Sequence, residues 1–155
     1  MTVATIDDDL VITRIFAARP DAVFGAWSDA RQMAKWMGPA GFTSPVIESD
    51  FRVGGAYQIC IRSPDRRDYW WGGRYLEIVE PERLSFSVET YGWPGETTLL
   101  RAPPHTRIGI TFEAAAEGHT RMTFRQSPFP PNVDRTNHEN GWLEALGKLE
   151  RYLTK

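Results

Sequence analysis

The residues whose types and spacing could do chemistry lie near the end of the chain, in the stretch HENGW. His138 and Glu139 form the first half of a His-Glu-x-x-His pattern, in which two histidines one helical turn apart bind zinc and the glutamate acts as general base. Trp142 occupies the position of the second histidine. Because zinc sites obey strict ligand spacing, we expect no metal site here. We also expect no other cofactor.

General acid–base chemistry is the other possibility for this stretch. Histidine titrates close to neutral pH, which suits proton transfer, so His138 is one candidate for an acid or base and Glu77 is a second. No nucleophile or second acid is tied to His138 by sequence. The favoured interpretation of His138 is therefore structural, as a polar residue near the start of a helix that bonds a neighbouring loop.

The element that must position His138 is a helix predicted from about Val133 to Leu153. Its apolar residues recur at i, i+4, i+7 and i+11 and are Trp142, Leu146, Leu149 and Leu153. This spacing forms one continuous face, and Glu144 and Lys148 have the spacing of an ion pair on the outer side. An isolated helix of this length is marginal, so its apolar face must pack against a large partner.

That partner is predicted to be a sheet. Between residues 44 and 126 apolar and polar residues alternate, which is typical of half-buried antiparallel strands. A first strand and two short helices, beginning at Pro20 and after Asp29, come before it. The predicted fold class is α+β, with a curved antiparallel sheet of about seven strands around the long C-terminal helix.

Two segments are less regular. The pattern of Tyr69–Val79 leaves open which side chains face inward. The Gly- and Pro-rich segment Tyr91–His105 has the length and composition of a functional or mobile loop. We expect residues 1–155 to form a single domain with a loose lead-in over residues 1–8.

Composition excludes several classes of protein. The net charge of −2 argues against general attraction to nucleic acid or to anionic membranes. Cys60 is the only cysteine, so no intrachain disulfide can form. The first residues lack the basic and apolar runs of a signal peptide, and no stretch approaches the roughly 20 apolar residues of a membrane span. We therefore expect a cytoplasmic protein.

A set of large apolar residues could point into one volume and line a ligand cavity. Its members are Trp36, Phe42, Tyr57, Ile59, Tyr69, Trp71, Tyr75, Phe86, Phe112, Phe124, Trp142 and Leu146. Ligand sites are mostly apolar with a few placed polar groups, and the tyrosine hydroxyls with Gln58 or Glu77 could supply these. Core packing is the alternative for each residue taken singly.

Four segments also carry a family resemblance. They are VITRIFAARPDAVFGAWSDARQMAKWMGP, ESDFRVGG, GGRYLEIVEPERLSFS and HENGWLEALGKLERYL. In this order and spacing, from about Val11 to Leu153, the chain resembles the Hsp90-ATPase-activator-homologue-like branch of the START/Bet v 1 (SRPBCC) superfamily. The resemblance implies a helix-grip fold with a deep apolar cavity between the sheet, the short helices and the C-terminal helix. It also implies members that bind hydrophobic small molecules, and relatives that act as cyclases or dehydratases on aromatic polyketides.

Three functions follow as hypotheses. The first is a carrier or sensor that binds a small apolar or aromatic molecule. The second is a cyclase- or dehydratase-like enzyme that uses the same cavity. The third is a co-chaperone-like module, although an Hsp90-type chaperone is not the expected partner because that activity depends on a separate N-terminal domain. The resemblance also makes a homodimer plausible as an expectation.

Overall fold

The chain begins with a strand and two short helices in the computed structural model, which describes residues 9–91, 106–128 and 135–154. β1 (Leu10–Phe16) leads to α1 (Pro20–Ser28) and α2 (Ala30–Met33). Pro20 occupies the first turn of α1, where its missing N–H is not needed. Asp29 caps α2, since its Oδ1 accepts a hydrogen bond from the Arg31 amide at 3.0 Å.

The remaining strands form one antiparallel sheet with β1. They are β2 (Thr43–Ser49), β3 (Ala56–Arg62), β4 (Asp68–Val79), β5 (Arg83–Val88), β6 (Thr90–Tyr91), β7 (Thr106–Ala114) and β8 (Thr120–Ser127). The sheet order is β1-β8-β7-β5-β4-β3-β2, and the two-residue β6 pairs with β4. With α3 (Arg135–Leu153) against this sheet, the predicted α+β helix-grip fold is confirmed.

The facing of β4 is now settled. Trp71 and Tyr75 are buried on the inner face, and the pairing of β4 with β5 shifts register between Tyr75 and Glu77. Glu77 consequently lies on the outer face, where its carboxylate pairs with Arg83 at 3.2 Å.

The long helix α3 packs on the inner face of the sheet and on α1. Leu146 and Leu149 are fully buried in the same core cluster as Phe16, Trp27 and the inner residues of β5, β7 and β8. Trp142 and Leu153, the other two members of the predicted apolar face, are partly buried and pack against this cluster. Val133, the predicted first residue of the helix, and residues 92–105 of the predicted loop lie outside the described residues.

The apolar face of α3 gives a test of this packing. Leu149→Ala should lower the free energy of unfolding by about 2–5 kcal/mol, because it removes buried methyl groups and leaves a cavity. Leu143→Ala is the matched control in the same helix, since Leu143 is 37% exposed, and it should change stability by less than about 1 kcal/mol. Urea unfolding followed by tryptophan fluorescence measures both, and equal losses would contradict the packing described.

Candidate functional site

A pocket opens between α3 and the inner face of the sheet, and we call it the outer pocket. It is lined by Met37, Gly38, Pro39, Ile61, Trp71, Val88, Ile108, Gln126, His138, Gly141, Trp142 and Ala145. About 50 Å³ of it can be occupied by the centre of a water molecule, which is room for roughly three to five waters. Among the described residues, its lining side chains are apolar apart from Gln126 and His138.

One wall of the outer pocket is the first half of α3. His138, Gly141 and Ala145 are spaced at i, i+3 and i+7 and all line the pocket, next to the face that carries Trp142 and Leu146. His138 is 4% exposed, so it lies inside the pocket wall rather than on the solvent side of the helix start. Gly141 leaves this wall open, because among the described residues a Cβ there would meet only Pro39 Cγ, at 3.6 Å.

The facing wall is the turn of residues 37–42, which we call the entrance turn. Gly38 has a φ of +99°, and a Cβ there would lie 3.1 Å from Phe42 Cβ and 3.3 Å from Ile61 Cγ2. Both the left-handed backbone and the close contacts favour glycine at this position. The turn is therefore tightly fitted against Ile61 of β3.

Two side chains of α3 hold the entrance turn. Lys148 Nζ donates to the main-chain oxygens of Met37, Gly38, Pro39 and Phe42 at 3.0–3.4 Å. Glu144 Oε1 accepts a hydrogen bond from the Ala40 amide at 3.0 Å. The predicted ion pair between Glu144 and Lys148 is therefore wrong: both residues bind the turn instead of each other. Together they are called the anchor pair below.

Burial changes the chemistry of Lys148. Loss of water lowers the pKa of its ammonium group, nearby Arg151 lowers it further, and Glu144 opposes the shift. An ammonium group offers three N–H donors, and the carbonyl oxygens of the entrance turn replace part of the water that it has lost. The contact thus fixes the turn and also stabilises the partly buried charge of Lys148.

Gln126 is the polar pocket residue that sequence reasoning missed, together with several apolar ones. It is 1% exposed, its Nε2 donates to Thr106 Oγ1 at 2.9 Å, and its Oε1 accepts from Trp142 Nε1 at 3.3 Å. The signal was present in the alternation of β8, where Gln126 continues the inward positions of Met122 and Phe124. A polar residue in that series marks a site where the core needs a hydrogen bond.

A smaller space, the inner chamber, lies beyond the outer pocket. It is lined by Trp27, Met33, Met37, Tyr57, Ile59, Trp71, Tyr75 and Phe86. Its room for a water centre is only about 10 Å³, close to the minimum for one water. Tyr57 donates its hydroxyl to the Ser87 oxygen at 2.6 Å, and the hydroxyls of Tyr75 and Ser49 lie 2.7 Å apart.

The predicted ligand residues divide between these spaces and the core. Trp71 and Trp142 line the outer pocket, and Tyr57, Ile59, Trp71, Tyr75 and Phe86 line the inner chamber. Neither space is lined by the other predicted residues, which are Trp36, Phe42, Tyr69, Phe112, Phe124 and Leu146. Phe124 lies one layer behind, with its ring centroid 4.7 Å from that of Trp142.

Two residues that were predicted to contribute polar groups to the cavity, Glu77 and Gln58, lie outside it. Glu77 is exposed and paired with Arg83, so its candidate role as acid or base in the cavity is wrong. Gln58 lines a separate groove of the sheet with Glu48 and Asp50. Both corrections follow from strand facing: a register shift in β4 turns Glu77 outward, and Gln58 on β3 alternates with the buried Tyr57 and Ile59.

Neither metal ligation nor membrane insertion is indicated in the described residues. Within residues 9–91, 106–128 and 135–154, no three His, Cys, Asp or Glu side chains are grouped as metal ligands would be. No helix in the same part of the chain has the length and apolar character needed to cross a membrane.

With this geometry established, comparison with known proteins identifies the family. Residues 17–154 match the family described as activator of Hsp90 ATPase homolog 1-like protein. The chain belongs to this family. That assignment confirms the resemblance seen in the sequence, and no curated protein sequence matches the chain.

Solved structures agree with this assignment. Protein CV1439 from Chromobacterium violaceum is similar with a TM-score of 0.83 and 28% identity, over 96% of this chain and 98% of its own. The AHSA1 protein from Silicibacter pomeroyi has a TM-score of 0.79 and 21% identity, over 94% and 97%. A protein from Arthrobacter aurescens has a TM-score of 0.80 and 22% identity, over 97% and 90%. The last two similarities show the fold alone.

The anchor pair predicts a local effect on the entrance turn. Lys148→Met should lower the free energy of unfolding by about 1–3 kcal/mol, because main-chain oxygens of the turn lose their donor. Amide exchange of Ala40 and Phe42 should become faster at the same time. Exposed Lys35 provides the control: Lys35→Met should leave exchange in the turn unchanged and alter stability by less than about 0.5 kcal/mol. Unchanged exchange in the Lys148 variant would show that the turn is held by other contacts.

Proposed function

We propose that this protein binds a small hydrophobic or aromatic molecule in the outer pocket, as a carrier or sensor. The observation that supports this function is the composition of the pocket. Two tryptophans and a set of aliphatic side chains surround it, and Gln126 and His138 are the polar side chains of its wall. Apolar pockets with a few placed polar groups are the usual form of a small-molecule site.

The shape of the pocket favours a ligand with one flat ring. The rings of Trp71 and Trp142 are 5.9 Å apart and nearly perpendicular, at 85°. A bound ring can therefore contact the face of one tryptophan and the edge of the other, which is a favourable arrangement for aromatic groups. Room for roughly three to five waters is also comparable with the volume of a single aromatic ring.

Acid–base catalysis receives less support from this geometry. An enzyme of the cyclase or dehydratase kind needs at least two groups placed around a common reacting atom. Among the described residues that line the outer pocket, His138 is the one titratable side chain. Binding therefore explains the pocket with fewer requirements than catalysis does.

Docking on a partner protein also receives less support. The exposed large apolar side chains of the described residues are Val11, Ile15, Val53, Leu76 and Leu143. They lie on β1, the turn before β3, β4 and α3. An interaction module would present such residues together as one patch.

Two glycines of α3 provide a matched test of the binding site. Gly141 lines the outer pocket, whereas a Cβ at Gly147 would meet only the ends of Arg151 and Arg14, at 3.9 and 4.0 Å. Gly141→Leu should weaken binding of toluene at least tenfold by filling the pocket, and Gly147→Leu should leave it within about twofold. Titration followed by ¹H–¹⁵N NMR gives both affinities, and unfolding curves check that both variants fold.

Native mass spectrometry adds an independent readout. Each variant is purified from an expression host, and the apolar compounds that it retains are extracted with solvent. Gly141→Leu should retain less of these compounds than Gly147→Leu. Equal toluene affinity and equal retention in the two variants would contradict the proposed function.

A further inference from the structure

Trp27 presents a buried hydrogen-bond donor without an acceptor. The side chain is 1% exposed, and within the described residues its Nε1 has no hydrogen-bond partner. Its ring lies among other aromatic rings, with centroids 4.7 Å from Trp36 and 6.1 Å from Trp142. Burial of an N–H group without an acceptor costs free energy, so such donors are rare in folded proteins.

Neighbouring tryptophans show that this core normally satisfies its indoles. Trp36 Nε1 donates to the Ala26 oxygen at 3.1 Å, and Trp142 Nε1 donates to Gln126 Oε1 at 3.3 Å. Trp27 lies between these two residues in the same cluster. Its free donor is therefore a particular feature of this position.

The Trp27 side chain borders the inner chamber. Met37 and Trp71 line both the inner chamber and the outer pocket, so these two side chains separate the two spaces. Methionine side chains are flexible and change rotamer at little cost. A movement of Met37 would let a narrow group pass from the outer pocket towards Trp27.

The chamber lining restricts the chemistry of that group. No charged side chain lines the inner chamber among the described residues, so a carboxylate there would lose its water without gaining a counter-ion. A lone water is poorly suited as well, because buried waters need two to four polar partners and the hydroxyls of Tyr57 and Tyr75 already bond elsewhere. A neutral acceptor atom satisfies the indole without either penalty.

We infer that the ligand is a small planar compound whose neutral hydrogen-bond acceptor, such as a carbonyl or nitrile, is bound by the Trp27 indole N–H. The ring occupies the outer pocket, and the acceptor extends between Met37 and Trp71 into the inner chamber. This inference rests on the proposed function, since it assigns a ligand class to the same pocket.

A pair of probes that match in shape tests the inference directly. Benzonitrile and phenylacetylene differ in that the nitrile nitrogen accepts a hydrogen bond and the terminal alkyne carbon does not. Benzoate is the third probe, and it carries a negative charge in place of the neutral acceptor. The chain has six tryptophans, and the indole N–H signal of Trp27 is assigned from nuclear Overhauser contacts in the unaltered protein and checked by its loss in Trp27→Phe. Phenylacetylene reports the shift that the ring current alone causes, and benzonitrile should move this signal further to lower field than phenylacetylene does.

Affinity ratios provide the second measurement. The ratio of the phenylacetylene Kd to the benzonitrile Kd should fall about fivefold in Trp27→Phe, because only benzonitrile loses a hydrogen bond. Trp36→Phe is the control, because the Trp36 indole already donates to the Ala26 oxygen in the unaltered protein. In this variant the ratio should stay within about twofold of its value in the unaltered protein. Benzoate should bind at least tenfold more weakly than benzonitrile.

The outcomes separate the inference from the proposed function. The inference is overturned and the proposed function stands if both neutral probes bind but move the Trp27 signal equally, and the affinity ratio is the same in Trp27→Phe as in the unaltered protein. If neither probe binds, the proposed function is overturned together with the inference. The NMR measurement uses the unaltered protein, so it decides the question even if Trp27→Phe fails to fold.

Discussion

The contact of α3 with the inner face of the sheet is the constraint on which the site depends. Leu146 and Leu149 are fully buried, and their burial fixes the rotation of the helix about its axis. Because successive residues of a helix turn through a constant angle, fixing one face fixes every other face. His138, Gly141 and Ala145 are thereby directed to the outer pocket. The pocket wall is a geometrical consequence of core packing.

Polar groups inside this apolar interior are few and mostly matched. Gln126 joins Thr106 of β7 to Trp142 of α3, so one amide links the sheet to the helix and orients an indole at the pocket. The tyrosine hydroxyls at the inner chamber also have partners. Within the described part of the chain, the unmatched indole of Trp27 is a local exception, and such departures from hydrogen-bond matching are expected at functional or strained sites.

The sequence predicted the fold well because its determinants are local and periodic. Alternation in the strands, the spacing of Trp142, Leu146 and Leu149, and the cap at Asp29 each act within one element. Parts of the site were predicted less well. Glu77 was misplaced because a register shift in β4, which depends on pairing with β5, decides its facing. An ion pair of Lys148 with Glu144 was predicted because the carbonyl groups of the entrance turn, which bind Lys148 instead, lie 106–111 residues away in sequence.

Some pocket residues were predicted only as members of a larger aromatic set. Trp71 and Trp142 line the outer pocket, whereas Phe112 and Phe124 pack in the core. Composition alone cannot separate these roles, since both are inward positions on the same sheet. Tertiary packing separates them, because it leaves the outer pocket open beside Trp71 and Trp142.

Attachment of the entrance turn through its main chain has an evolutionary consequence. Lys148 binds four carbonyl oxygens and Glu144 binds one amide, and these groups are present whatever side chains the turn carries. Mutations at Met37 or Pro39 can therefore change the shape and selectivity of the pocket while the turn stays attached to α3. The main chain of the entrance turn thus holds the binding site together, while its side chains are free to diversify. Gly38 is the position where the backbone itself limits change.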